Sequence, residues 1–277
     1  MRIWKHWVKE TARVTGPRGK VLELGAWGGS ATSLDDARRR AREVLASIVR
    51  RVEAGQDLER YAYSDRPLRE EIVEEIDGAV ITRNSHGALV LNTREAMFID
   101  VDVEAEPRAG IGRTVAGLFG RKREPTEHAG LAGVRQAAAR WPEMGLRVYR
   151  TCKGLRCLVT SATFDPQSSE AQAVLTAFGS DPLYVRLCLA QESFRARLTP
   201  KHWRIGVPRP PVRYPWSDAA EQQRHLEWVR AYQERATGYS TCELLTTLGP
   251  PRIAPEVEPI VTLHDRHVFT PAGGRLA

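Results

Sequence analysis

The segment at 96–104 constrains the fold of this chain more than any other, because it changes from apolar to acidic. Its apolar part, Met97-Phe98-Ile99, predicts a strand that is covered on both faces. Its acidic part, Asp100-Val101-Asp102, places two carboxylates two residues apart. Because side chains two apart in a strand point to the same face, we expect both carboxylates to project together from the end of a central strand.

This spacing favours a divalent metal at Asp100 and Asp102. Two adjacent carboxylates repel each other unless a cation neutralises them. Mg²⁺ or Mn²⁺ prefers oxygen ligands and leaves positions open for substrate phosphates. Glu104 follows on the same face, one step further along the strand. The alternative interpretation is an acidic strand end that faces solvent.

The surrounding pattern predicts an α+β fold, in which a mostly antiparallel sheet is covered by helices. Residues 1–55 are expected to form a small unit, in which a hairpin, a flexible glycine corner at 25–30 and a helix capped by Ser33 follow one another. Residues 56–277 would form the main domain. There the pattern predicts hairpins at 79–91 and 146–160, helices at 67–76, 128–141, 168–178, 182–192 and 218–236, an extended segment at 194–216, and a strand at 260–263.

Charge and length narrow the classes of partner. The chain has 277 residues, with 41 Lys and Arg against 34 Asp and Glu, and a net charge of +7. The arginine guanidinium can donate two parallel hydrogen bonds to phosphate oxygens, so the excess of basic residues favours nucleic acid or nucleotides as binding partners. An arginine-rich composition without a binding role is the alternative explanation. There is no apolar run of about 18 residues to cross a membrane and no signal peptide, so we expect a cytoplasmic protein with no membrane contact. The four cysteines contain no Cys-x-x-Cys pair, which argues against a zinc ribbon.

Three basic segments are candidates for binding phosphate. The turn at 153–156 carries Lys153 and Arg156 around a glycine, which lets a ligand approach the backbone. The segment at 194–204 interleaves basic side chains with Phe194 and Trp203, a pattern that suits phosphates and a stacked base. Its basic side chains are Arg195, Arg197, Lys201 and Arg204. The third is a glycine-rich basic loop at 105–127. A plain hairpin turn and arginine-rich surface loops are the alternatives.

The order of these motifs resembles the archaeo-eukaryotic primase superfamily, and especially primase-polymerases and the polymerase domain of bacterial end-joining ligases. The resemblance covers residues 76–205. It matches Asp100 and Asp102 to the Asp-x-Asp motif, and Lys153-Gly154-Leu155-Arg156 to the second motif, with Arg156 where the family has a phosphate-binding histidine. It implies Asp181 as the third carboxylate. Asp265 is the alternative, within a His-Asp-Arg-His segment at 264–267 that we expect to be a solvated turn.

The resemblance implies a nucleotidyltransferase that uses Mg²⁺ or Mn²⁺ to add nucleotides to a nucleic-acid strand. Asp100, Asp102 and Asp181 would be the catalytic metal ligands, and Lys153 and Arg156 would bind the nucleoside triphosphate. The nucleic acid would be bound by Arg195, Arg197, Lys201 and Arg204. Because Arg156 replaces the family's histidine, a catalytically inactive nucleic-acid-binding or replication accessory protein with the same fold is the alternative.

Overall fold

The computed structural model describes residues 1–16, 19–56, 68–103, 130–270 and 274–277. Within these ranges the chain is α+β, which confirms the predicted fold class. The predicted basic loop at 105–127 and Glu104 lie outside the described residues.

The strands are β1 (His6–Thr15), β2 (Val21–Ser30), β3 (Glu71–Ile76), β4 (Ala79–Arg83), β5 (Leu89–Thr93), β6 (Phe98–Asp102), β7 (Leu146–Thr151), β8 (Gly154–Val159), β9 (Phe194–Arg197), β10 (Tyr239–Ser240), β11 (Cys242–Leu248) and β12 (Arg275–Leu276). The helices are α1 (Leu34–Glu53), α2 (Leu131–Ala138), α3 (Ser169–Ala177), α4 (Pro182–Gln191), α5 (Ala219–Ala236) and α6 (Glu258–Val268), with a 3-10 helix at His202–Ile205.

The N-terminal hairpin is longer than the sequence pattern indicates. Strands β1 and β2 pair antiparallel over their full lengths, and α1 packs on them with Ser33 as its N-cap. The predicted glycine corner at 25–30 is wrong, because β2 continues to Ser30. A Cβ on Gly28 would lie 2.1 Å from the carbonyl oxygen of Ala37. The glycines therefore allow α1 to approach the strand closely instead of bending the chain.

One four-stranded antiparallel sheet has the order β3-β4-β5-β9. The helix predicted at 67–76 is wrong, because Glu71–Ile76 is the strand β3 at the edge of this sheet. The two residues between β3 and β4 are Asp77 and Gly78, and Gly78 has a φ of 72°. Asp-Gly between apolar runs strongly favours a β-hairpin. The apolar spacing of residues 71–76 also fits a helix, but the hairpin turn at Asp77-Gly78 favours the strand.

The second antiparallel sheet has the order β11-β7-β8-β6, so the acidic strand lies at its edge and not at its centre. The exposed edge of β6 is covered by the end of α3 and by α4. The carbonyl of Phe98 accepts a hydrogen bond of 2.8 Å from the Tyr184 hydroxyl. The carbonyl of Asp100 accepts bonds from Ser180 Oγ and from the Asp181 amide. This cover explains why the apolar half of the segment is fully buried.

Side chains join the two sheets where the edges of β6 and β9 meet. Tyr184, bonded to β6, also accepts a hydrogen bond of 3.3 Å from the Arg195 amide of β9. Arg156 of β8 donates to the carbonyl of Arg197 at 2.9 Å. Both bonds reach strand edges that would otherwise be open, so the sheets form one continuous framework.

The strand predicted at 260–263 is wrong, and so is the solvated turn predicted at 264–267. Both lie within α6, which has Pro259 in its first turn, where proline is well tolerated. Ile260, His264 and Val268 are all buried, and their spacing of four is helical. None of the helices among the described residues combines the length and apolar character needed to cross a membrane.

Candidate functional site

The acidic pair at the end of β6 is asymmetric. Asp100 lies opposite Arg156 on β8, and its Oδ1 accepts a hydrogen bond of 2.9 Å from Arg156 Nε. Asp102 lies opposite Gly154 and is exposed. It makes no hydrogen bond or ion pair with any other residue that the structure describes. One carboxylate of the pair is therefore held by an arginine, and the other has no such partner within the described ranges.

Arg156 is enclosed by protein groups. Only 2% of its side chain is exposed, and its Nη1 contacts the carbonyl of Arg197 and the sulfur of Cys242. Burial lowers the pKa of Arg156, but the Asp100 carboxylate more than offsets this and keeps the pKa raised. Arg156 thus holds Asp100 and β9 in place.

Four basic side chains from separate segments converge beside the acidic pair, and we call them the cationic cluster: Lys153, Arg197, Lys201 and Arg204. Burial and then the neighbouring Arg156 and Arg204 lower the pKa of Arg197 to about 10. Burial and then Arg197, Arg204 and Lys153 lower the pKa of Lys201, while Asp102 opposes them weakly. These mutual effects show that residues predicted independently from two basic segments lie close enough to repel one another.

The cationic cluster contains hydrogen-bond donors without acceptors. Arg197 Nε and Arg204 Nη1 are both buried, and neither has a partner among the described residues. Buried N–H groups in proteins are nearly always hydrogen-bonded, so an unpaired donor calls for an explanation. Two such donors therefore lie on mutually repelling cations.

Arg195 does not belong to the cationic cluster, although it shares a strand face with Arg197. Its Nη2 donates to both oxygens of Glu70, at 2.8 and 2.9 Å, and its Nη1 donates to Asn92 at 2.7 Å. Glu70 is buried and its charge offsets that of the arginine. Phe194, which was expected to stack a base, is fully buried. Phe194 therefore belongs to the core, and Arg195 is paired with an acid.

The proposed third carboxylate, Asp181, caps a helix. Its Oδ1 accepts from the Leu183 amide at 2.9 Å, while its own amide donates to the carbonyl of Asp100. Its backbone therefore lies beside the acidic pair. No group of three or more His, Cys, Asp or Glu side chains able to hold a metal occurs in the described ranges. The protein side chains described thus supply no closed metal cage here.

The alternative carboxylate, Asp265, belongs to a buried network that sequence reasoning missed. It accepts hydrogen bonds from Arg147 and from the hydroxyl of Tyr149, and it contacts Nδ1 of His264. Burial lowers the pKa of His264 to about 4. The helical spacing from Ile260 to Val268 was the signal that could have placed His264 in the core.

The arrangement combines four clustered cations with an acidic pair, in which Asp102 has no hydrogen-bond or ion-pair partner among the described residues. Such a site can hold phosphate oxygens on the cations and a hard divalent cation on the carboxylates. We compared the chain with protein-family models, with curated proteins and with solved structures, and none of the three comparisons found a match.

Proposed function

We propose that this protein is a primase-polymerase-like nucleotidyltransferase, which binds nucleotide and nucleic-acid phosphates on the cationic cluster. The observation that carries the proposal is the pair of buried donors on Arg197 and Arg204, neither of which has a partner among the described residues, near the exposed Asp102. A phosphate oxygen would accept from both arginines and reduce the repulsion among the four cations. Arginine binds phosphate through paired donors, and a lysine such as Lys153 adds a mobile point charge.

The acidic pair fits Mg²⁺ or Mn²⁺ when part of the coordination comes from the substrate. Mg²⁺ in phosphate-transfer sites is bound by one or two carboxylates and by phosphate oxygens, so a cage of three side chains is not required. Asp102 accepts no hydrogen bond from the part of the chain that the structure describes, and Asp100 keeps one oxygen that Arg156 does not bond. The metal would neutralise charge on the reacting phosphate. Arg156 would fix the orientation of Asp100 throughout.

A second candidate is the same phosphate-binding protein without turnover. The ion pair between Arg156 and Asp100 favours it, because one potential ligand oxygen is already occupied. The helix-capping role of Asp181 favours it as well, since one oxygen of that carboxylate is also occupied. Both candidates share the binding step and differ only in catalysis.

The binding step is tested with a fluorescently labelled single-stranded oligonucleotide and with inorganic tripolyphosphate. Arg204→Ala should weaken both by roughly 10-fold to 100-fold, the scale of a hydrogen bond between charged groups. It should also reduce the dependence of oligonucleotide affinity on salt, because fewer counterions are released. Arg50→Ala removes the same charge from an exposed position in α1 and serves as the matched control. If the unmodified protein binds neither probe at low salt, the proposal fails.

Catalysis is tested by nucleotide incorporation into a primed and an unprimed template with Mg²⁺ or Mn²⁺. Asp102→Asn should abolish incorporation and retain tripolyphosphate binding, since its carboxylate has no structural partner among the described residues. Incorporation that survives this substitution would remove Asp102 from the catalytic site. Binding without incorporation by the unmodified protein would establish the second candidate instead.

A further inference from the structure

Trp203 is the one large aromatic side chain among the exposed hydrophobic residues of the described chain, with 51% of its surface accessible. It lies in the 3-10 helix His202–Ile205, between Lys201 and Arg204 of the cationic cluster. Exposed single hydrophobic residues are common, but tryptophan buries so much apolar area that it is favoured where a partner covers it. Because Trp203 lies between Lys201 and Arg204, we expect that partner to combine an apolar or aromatic surface with negative charge.

The indole ring is held by its neighbours. The ring of His86 contacts it edge-on at 5.2 Å between centroids, and the ring of His202 does so at 4.9 Å. The ammonium of Lys201 lies 5.2 Å from the ring centroid. The ring thus has fixed protein contacts while half of its surface remains available to a ligand.

The segment that carries Trp203 is anchored to α5. The hydroxyl of Tyr232 contacts Thr199 Oγ1 and the carbonyl of Pro200. The indole of Trp228 donates to the carbonyl of Pro208 at 2.9 Å, and Arg235 Nε donates to the carbonyl of Ile205 at 3.1 Å. Side chains from successive turns of one helix therefore fix the backbone before and after the exposed ring. A ligand that binds there loses little affinity to ordering the protein.

We propose that Trp203 stacks on an unpaired base of a single-stranded nucleic acid whose phosphates lie on the cationic cluster. The inference rests on the proposed function and adds the strand state of the nucleic acid. Every base has a π-face, and stacking on an aromatic side chain beside cations is the usual way in which single strands are bound without sequence preference. In a duplex each base is already stacked and paired, so the ring would have no free face to contact. The protein should therefore prefer a single strand to the same sequence in a duplex.

The test measures fluorescence anisotropy with three labelled probes: an oligothymidylate, an abasic oligonucleotide of the same length, and a duplex of that length. The abasic probe keeps the phosphates and removes the bases. Trp203→Ala should weaken oligothymidylate binding by roughly 5-fold to 150-fold, the range that stacking of one base supplies. It should leave abasic binding unchanged, and Trp203→Phe should restore most of the lost affinity. Val21→Ala, which shortens an exposed apolar side chain in the N-terminal hairpin, should change neither.

The outcomes separate this inference from the proposed function. If the unmodified protein binds the oligothymidylate and the abasic probe equally, or if Trp203→Ala weakens both equally, the stacking inference is overturned and phosphate binding stands. Equal affinity for single strand and duplex would overturn it as well. If none of the three probes binds, the proposed function itself fails. The comparison of probes on the unmodified protein remains decisive even if Trp203→Ala does not fold.

Discussion

Replacing Asp100 with asparagine would leave Arg156 as a buried cation without its counter-charge. The side chain of Arg156 is 2% exposed and that of Asp100 is 38% exposed, and Nε lies 2.9 Å from Oδ1. Removing one partner of a buried ion pair costs about 3–5 kcal/mol. Asparagine keeps an oxygen acceptor worth about 1 kcal/mol, and water reaches the exposed part of the site. We therefore expect Asp100→Asn to destabilise the protein by about 2–3 kcal/mol.

Asp102→Asn is the matched control, because it makes the same chemical change two residues away on the same strand face. Asp102 has no partner in the described part of the chain, so its substitution should change stability by less than about 0.5 kcal/mol. In a thermal melt the Asp100 variant should unfold roughly 5–10 °C below the Asp102 variant. Adding Arg156→Met to Asp100→Asn should recover part of the loss, since an apolar side chain requires no counter-charge. Equal melting temperatures for the two asparagine variants would refute the reasoning.

Three further outcomes follow from the described contacts. Burial lowers the pKa of His264 to about 4, so the unfolded chain binds the proton more readily and stability should fall as pH drops from about 6.5 to about 4. Urea unfolding at several pH values should show this decline, and His264→Phe should flatten it; an unchanged slope would place the proton elsewhere. Gly28→Ala should destabilise the protein by more than about 2 kcal/mol in the same assay, because the new methyl group would overlap the backbone of α1, and a neutral effect would contradict that packing. Arg195→Met should lower stability by leaving Glu70 buried and unpaired, yet keep tripolyphosphate affinity, and reduced affinity would return Arg195 to the binding site.

Much of the fold could be predicted because local signals agreed with one another. The helix α1 has acids in its first turn and apolar residues at helical spacing, and its predicted N-cap, Ser33, matches the structure. The hairpin of β7 and β8 has an apolar run on each side of a two-residue turn, Cys152-Lys153, which Gly154 follows as the first residue of β8. In such segments the local preference and the tertiary environment require the same conformation.

The wrong predictions arose where tertiary packing decided. In β2 the glycines looked like a corner, and only the close approach of α1 explains them as strand residues. In α6 the apolar run at 260–263 was short enough to fit a strand. The helical spacing of apolar residues was missed because His264, a polar residue type, occupies one of the buried positions. The edge position of β6 depends on how distant strands pair, which local patterns do not encode.

The candidate site could be predicted by residue type but not by role. Lys153 was predicted to bind a nucleoside triphosphate and the segment at 195–204 to bind nucleic acid, and the structure brings Lys153 close to Lys201 of that segment. The sequence could not predict that Arg195 pairs with Glu70 while Arg197 lies among other cations. Both arginines are on one strand face, and the side chains that pack against that face come from distant segments. The same limit applies to Arg156, whose burial depends on the contact between two sheets.

The hydrogen bonds of Tyr184 and Arg156 across the two sheets bear on how the protein opens. The acids belong to one sheet, while three of the four cations lie on or after β9 of the other sheet, and the side chains of Tyr184 and Arg156 bridge the two. Neither sheet can then separate without breaking the bonds that seal the other's open edge, so the two should behave as one cooperative unfolding unit. Amide protons of β6 and β9 should exchange with solvent only at the free energy of global opening. The arrangement of the cationic cluster beside the acidic pair would accordingly persist up to the melting transition and be lost with it.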